Sequence, residues 1–335
     1  MFSMETTDYI RVVMSTNSPN YPVIAVVGHL VKDEIKTLDG KTCVSLGGTA
    51  YNLAALSAIQ KTGKIYPVCR LGIDVKILSE KLFGSSPLFD FAGVIYSRRP
   101  NAAHYLTCRA DGGRDERNSG KQAPLALGSV LEKCDAILLN FISGNDVKLK
   151  ELHSFKKRYK GLIYCDYHSL SLGFDSNKRR YLRYHPRWRD YLAAVDIIQM
   201  NQNELATIIG KPLDSRRAVI DAFSMLHEAG PRIAIITAGR DGAILSLCPE
   251  GRIYHIAGIP VSKEIDPTGC GDTLSATFLY QYLILGNSIK ALEIANQHAA
   301  VKATFSGIEG FVQLNELVTQ FGPPRKAEKL LAFPL

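Results

Sequence analysis

Asp272 lies inside a stretch whose residue types and spacing suggest chemistry, Lys263 to Gly286, KEIDPTGCGDTLSATFLYQYLILG. Asp266, Pro267, Gly269 and Gly271 read as a tight turn. Behind it Leu274, Phe278, Leu279, Tyr282 and Leu283 recur at helical spacing, and Gly286 is the stop signal. A glycine-rich turn that opens a helix aims several backbone N–H groups outward at the positive end of the macrodipole, which suits an anion. Asp272 falls in the first helical turn, where a phosphate would arrive. The residues alone leave two readings open. The carboxylate caps the helix or favours its dipole, or it accepts a proton from, or orients, a hydroxyl beside a phosphate.

Two other phosphate-binding schemes are excluded. Gly269-x-Gly271 is followed by Leu274 where a dinucleotide fingerprint needs a third small residue. Gly40-Lys41-Thr42 resembles the end of a P-loop, but Ile35 stands where its first glycine belongs.

The elements that would position such a site follow an α/β order. Short apolar runs at Val23–Val27, Ile65–Cys69, Ala136–Leu139, Leu162–Cys165, Ile197–Met200 and Ile233–Thr237 read as buried strands, with helical segments between them. Polar or glycine-rich residues follow several of these runs, at the edge where open α/β sheets bind ligands. They include Asp33, Asn201 with Glu204, and Thr237-Ala238-Gly239. Gly47-Gly48-Thr49 leads into a helix over Ala50 to Gln60 with Asn52 in its first turn, and a last helix covers Ala291 to Thr304. Asn201 and Glu204, three residues apart, can form a capping box or orient water around a magnesium ion. Residues 34–46, with an Asp-Gly turn, and the alternating stretch running into Ala110-Asp111-Gly112-Gly113 read as a small separate sheet.

Composition narrows the class. The 335 residues are 46% hydrophobic and 21% charged, ordinary for a globular protein with a sizeable core. A formal charge of +8 favours anionic ligands without choosing among them. Seven cysteines with no Cys-x-x-Cys pair suggest neither a zinc site nor a disulfide framework, and fit a cytoplasmic location. No apolar run reaches membrane-span length, and residues 1–21 read as a flexible leader rather than a secretory signal. The basic run Lys178 to Arg189 interleaves aromatics with cations, as a nucleic-acid surface would. It is read here as a solvated loop and helix start with Trp188 as an inward anchor.

In order, these motifs resemble the PfkB carbohydrate kinases of the ribokinase-like superfamily. Asp266-Pro267-Thr268-Gly269-Cys270-Gly271-Asp272 is similar to the carboxyl-terminal signature of that family. Leu46-Gly47-Gly48-Thr49-Ala50-x-Asn52 is similar to its amino-terminal motif, with Asn201-x-x-Glu204 and Thr237-Ala238-Gly239 between them. The resemblance implies a three-layer, mostly parallel sheet flanked by helices over residues 22–323. It also implies a small β-lid from about 34–46 and 95–120, with 324–335 as a tail. It implies ATP-dependent phosphotransfer to a hydroxyl of a sugar or sugar-like molecule. A nucleoside kinase and a non-catalytic sugar- or nucleotide-sensing protein are the alternatives.

Carried onto this sequence, the resemblance makes Asp272 the catalytic base and gives the anion hole to the amides of Gly269, Cys270 and Gly271. It assigns Asp33, Gly48 and Asn52 to substrate hydroxyls. Asn201, Glu204, Thr237, Gly239, Ala303 and Gly307 fall to the nucleotide, with Glu204 reaching Mg2+ through water. Asp266 falls near a monovalent cation such as K+. Cys270 and Pro267 replace the usual Ala and Thr, and Cys270 offers an oxidisable thiol. Asp166-Tyr167-His168-Ser169 lacks the Asn and Arg common there in sugar kinases, which leaves the acceptor class open. An exposed lid edge invites pairing with a second copy, so a homodimer through the lid is expected.

Overall fold

Val and Ile runs buried on both faces favour parallel pairing beneath covering helices. The computed structural model, which describes residues 21–36, 40–108, 114–120, 122–177 and 179–332, has that arrangement. Six strands pair in parallel in the order Ile233–Thr237, Ile197–Asn201, Leu162–Asp166, Ala136–Asn140, Val23–Val27, Lys64–Val68. Ala243–Leu247, Arg252–Ile256 and Glu328–Ala332 extend the sheet antiparallel beyond Ile233–Thr237. Residues 328–332 were expected in a tail. They instead form the edge strand, because Arg252–Ile256 has a free flank for them to pair with.

Alternate residues of each strand feed two cores. Ile24, Val26, Leu138 and Tyr164 pack with the helices Ala50–Ile59, Cys270–Leu285 and Ser288–Lys302. Ala25, Val27, Ile137 and Ile163 pack on the opposite face with Phe155, Trp188 and Leu226 from the helices over 149–158, 188–192 and 216–228. The sheet is thereby the middle of three layers. Among the described residues no helix is long and apolar enough to cross a membrane.

A separate four-stranded sheet runs in the order Thr42–Gly48, Leu30–Lys36, Ala103–Cys108, Arg114–Asn118. Its first strand starts at Leu30, so Asp33 is a residue of this sheet rather than of a loop. Ile95–Ser97, expected with it, pairs with Arg70–Gly72 instead. The leader up to residue 20, Leu38 and Asp39 of the first turn, the turn from Arg109 to Gly113, Lys178 and residues 333–335 lie outside the described residues.

The basic run does not lie flat on the surface. Trp188 is 1% exposed within the second core, while the neighbouring Arg189 guanidinium lies over its ring. Arg180 turns inward, with 12% of its side chain exposed. Trp188→Ala should therefore cost about 3–5 kcal/mol, as for other large buried aromatics. Urea unfolding measures this, and a loss under about 1 kcal/mol would be typical of a surface position instead.

Candidate functional site

Gly269 ends the turn with φ 86° and opens the helix Cys270–Leu285. A Cβ there would lie 2.3 Å from Cδ1 of Tyr51, so only glycine lets the turn rest on that ring. Cys270, Gly271 and Asp272 follow as the first three helical residues. The N-cap is Gly269 itself, and Asp272 is the acid of the first turn, where the helix dipole favours it. Its Oδ1 accepts a hydrogen bond of 2.6 Å from Asn140 Nδ2, at the carboxyl end of a central strand.

The helix start is tied down from behind. Asn52 is fully buried; its Nδ2 donates to the Asp272 carbonyl and to Ser275 Oγ, each at 3.0 Å. Its Oδ1 accepts from Asn140 Nδ2 at 2.8 Å. Asn52 was expected to hold substrate hydroxyls. Both ends of its amide are used inside the protein, so it positions Asp272 instead. Gln199 does a similar job in front: Nε2 donates to Asp166 Oδ2 at 2.9 Å and to the Gly271 carbonyl at 3.1 Å, and Oε1 accepts from Tyr164.

Two cavities meet at this turn, with Thr237, Pro267 and Gly271 in the wall of both. One, of about 660 Å³, is largely apolar, lined by Ile259, Val261, Leu274, Ala300 and Ala303 together with Gly239, Arg240 and Glu264. The other, of about 370 Å³, is polar, and includes Asp33, His104, Glu116, Arg180, Asp166 and His168 beside Asp272. Several of the candidate residues line these cavities. Gly269 and Gly271 line the polar cavity with Asp33 and Gly48, and Thr237, Gly239, Cys270 and Ala303 line the apolar one. Asn201 and Glu204, expected around the nucleotide, stand on the polar side. They form the capping box: Glu204 N donates to Asn201 Oδ1 and Asn201 N to Glu204 Oε2, each at 2.9 Å. Gly307 lines neither cavity and approaches Ser45 of the small sheet.

The polar cavity concentrates charge in a shielded place. Burial raises the Asp166 pKa well above the usual carboxylate range, and the neighbouring Asp272 adds to the rise. Burial also raises Asp272, with the nearby His168 and the Asn140 hydrogen bond pulling part of the way back. For His168 burial acts to lower the pKa, but the Glu204 carboxylate, 3.5 Å away, outweighs it and the net shift is upward. His168 also has φ 25°, the one positive value among described non-glycine residues, and such strain gathers at functional sites. Burial, with Arg180 and His168 near, drops His104 to about 3. It is therefore neutral beside Asp33, whose carboxylate is 3.7 Å from Nδ1. Gly47 makes room for that carboxylate, since a Cβ there would meet Asp33 Oδ2 at 2.1 Å.

Burial pushes the Cys270 thiol up to about 12, so it stays protonated at neutral pH and is not the reactive thiol its position suggested. The cation expected beside Asp266 meets a resident charge. Lys302 is fully buried, and its Nζ donates to the Asp266 carbonyl at 3.2 Å. Sequence reasoning missed Lys302, Asn140, Gln199, Arg180 and His104 as parts of the site, and met Asp166 and His168 only as a departure from the sugar-kinase pattern. Asn140 and Asp166 carried a usable signal, each ending a buried parallel strand. Arg180 was hidden in the basic run.

The pfkB family carbohydrate kinase model matches residues 164–311. A cytidine kinase of Thermococcus kodakarensis is 24% identical over 269 residues, 77% of this chain and 88% of that protein. A ribokinase of Haemophilus influenzae is 26% identical over 132 residues, 39% of this chain and 42% of that protein. The structure of Arabidopsis thaliana ribokinase complexed with ribose and ATP superposes with a TM-score of 0.72 at 19% identity. It covers 89% of this chain and 99% of that one.

The buried acids predict a pH signature. A carboxyl whose folded pKa is raised contributes stability below its unfolded pKa and loses it as pH climbs through the folded value. Asp166→Asn keeps an acceptor for Gln199 and removes that loss. Relative to wild type it should gain stability as pH rises from about 4, the ordinary carboxylate value, toward neutrality. Denaturant unfolding at several pH values reads this; a variant that tracks wild type throughout would mean that Asp166 ionises normally.

Proposed function

Because the chain belongs to the pfkB family of carbohydrate kinases, with the ribokinase-like fold, we propose that it transfers the γ-phosphoryl group of ATP to a hydroxyl of a small sugar or sugar-like acceptor, with Asp272 as general base. The observation that carries this reading is the position of Asp272. Its carboxylate lines a polar cavity, at the mouth of a helix whose opening turn also walls an apolar one. The apolar cavity suits a nucleotide base, and the polar one suits a hydroxyl-bearing acceptor.

An alcohol is a weak nucleophile, and the phosphates of ATP repel electron density. Phosphoryl transfer is therefore helped chiefly by alignment and by neutralising charge. Asp272 accepts the hydroxyl proton as the acceptor oxygen bonds to phosphorus and the bond to ADP breaks. Burial raises its pKa, which makes it a stronger base than a surface carboxylate. The amides of Gly269, Cys270 and Gly271 steady the oxygens of the transferred group. Asn52 and Asn140 hold the carboxylate in place. Asp33, with Gly48 behind it, takes acceptor hydroxyls, beside His104 and Arg180. Closure of the small sheet as a lid keeps water from taking the phosphoryl group.

The residues present suit magnesium only at a distance. Among the described residues no group of three or more His, Cys, Asp or Glu could hold a metal directly. Mg2+ bound to ATP would neutralise phosphate charge, and Glu204, with its Oε2 already accepting from Asn201, would meet it through water. A nucleoside acceptor is the second reading. It is favoured by the match to the cytidine kinase, which runs through 88% of that protein.

Asp272→Asn should bind ATP as wild type does yet lose roughly 10²-fold or more in turnover, the scale of a missing general base. A coupled ADP-release assay over a panel of sugars and nucleosides, with ATP and magnesium, checks both halves. Turnover near wild type in the variant would remove Asp272 from the reaction, and the preferred panel member fixes the acceptor class.

A further inference from the structure

Lys302 is the last residue of the helix Ser288–Lys302, and none of it reaches solvent. A buried ammonium persists only where polar groups replace its water. Here Nζ donates to the carbonyls of Asp266 at 3.2 Å and Phe305 at 3.0 Å. It lies over the rings of Phe305, 4.9 Å from the centroid, and Tyr51, at 5.6 Å. The carboxyl end of its own helix adds negative partial charge.

These partners are the parts of the turn that precedes Asp272. Asp266 Oδ1 accepts from Thr268 N and Oδ2 from Ser306 Oγ, and both Ile265 N and Asp266 N donate to the Ala303 carbonyl. Burial works against ionisation of Asp266, but the Thr268 bonds, the Lys302 charge and Ser306 together hold its pKa below the ordinary value. Tyr51 is the ring on which Gly269 rests. Lys302 thus touches both the start of the turn and the platform beneath its end.

We propose that the Lys302 ammonium is a built-in substitute for a monovalent cation in the turn 266–271, so that this protein needs no K+ to hold its anion hole in shape. A second cation at the same carbonyls would meet the first at close range and find the acceptor oxygens already taken. Lys302 is a positioning residue: it acts through the turn and not on the transferred group. The inference rests on the kinase reading only for its activity arm.

The test compares KCl with tetramethylammonium chloride at equal ionic strength, on wild type and on Lys302→Ala. Wild type should show the same melting temperature and the same turnover in both salts. Lys302→Ala leaves a cation-sized gap lined by carbonyls. It should melt lower in tetramethylammonium and recover with added K+ in a saturable way, as a ligand that binds only the folded state does. Its KM for ATP should recover over the same K+ range. A saturable K+ response of wild type would overturn the proposal, and that arm needs no variant. So would a Lys302→Ala protein with unchanged stability, or one destabilised without any K+ rescue. The melting arm uses no acceptor, so it remains decisive if phosphotransfer itself is not found.

Discussion

One half-buried carboxylate at the mouth of a helix is the constraint on which the rest of the structure depends. An isolated aspartate in that place would gain from the helix dipole and lose from desolvation. For Asp272 the loss is the larger, since its pKa is raised despite one short hydrogen bond and a nearby histidine. The fold therefore fixes the group by surrounding it rather than by letting it find its own minimum. Asn140 comes from the middle of the sheet, Asn52 from a helix on one face, and Gln199 from the next strand but one. Three separate elements converge on two consecutive residues, Gly271 and Asp272.

The same turn divides two environments of different character. On one side apolar side chains predominate, with Arg240 and Glu264 also in the lining; on the other acids, histidines and an arginine crowd together. Such crowding is tolerable because the charges are graded. Arg180 pairs with Glu116 at 3.4 Å, His168 stays near Glu204, His104 is neutral, and Asp166 is biased toward its protonated form. A hydroxyl-rich molecule can then exchange its water for these groups without leaving a buried charge unmet.

Much of this was legible in the sequence. The order of β-branched runs, Gly269 and Gly286 at the two ends of one helix, and the Asn201–Glu204 pair are local patterns with local causes, and the structure has them. What escaped depends on contacts far apart in the chain. Asn52 reads as a ligand-facing residue because it opens a helix after two glycines. Its burial follows from packing against a helix more than two hundred positions later. Lys302 reads as a polar position on a helix. Only tertiary contact brings it over Tyr51 and the Asp266 carbonyl. The edge strand at 328–332, EKLLA, has no β-branched or aromatic residue to announce it, and Arg180 was masked by its basic neighbours. Periodicity and caps specify elements, whereas the partners of a side chain across the fold do not appear in either.

The most direct measurement is a crystal structure with a non-hydrolysable ATP analogue and the acceptor that the protein turns over. The terminal phosphate should lie against the amides of Gly269, Cys270 and Gly271, with the reacting hydroxyl within about 3.2 Å of an Asp272 carboxylate oxygen, the reach of a general base. A hydroxyl that lies beyond that reach while the phosphate is bound, or a phosphate seated away from the helix mouth, would contradict this arrangement.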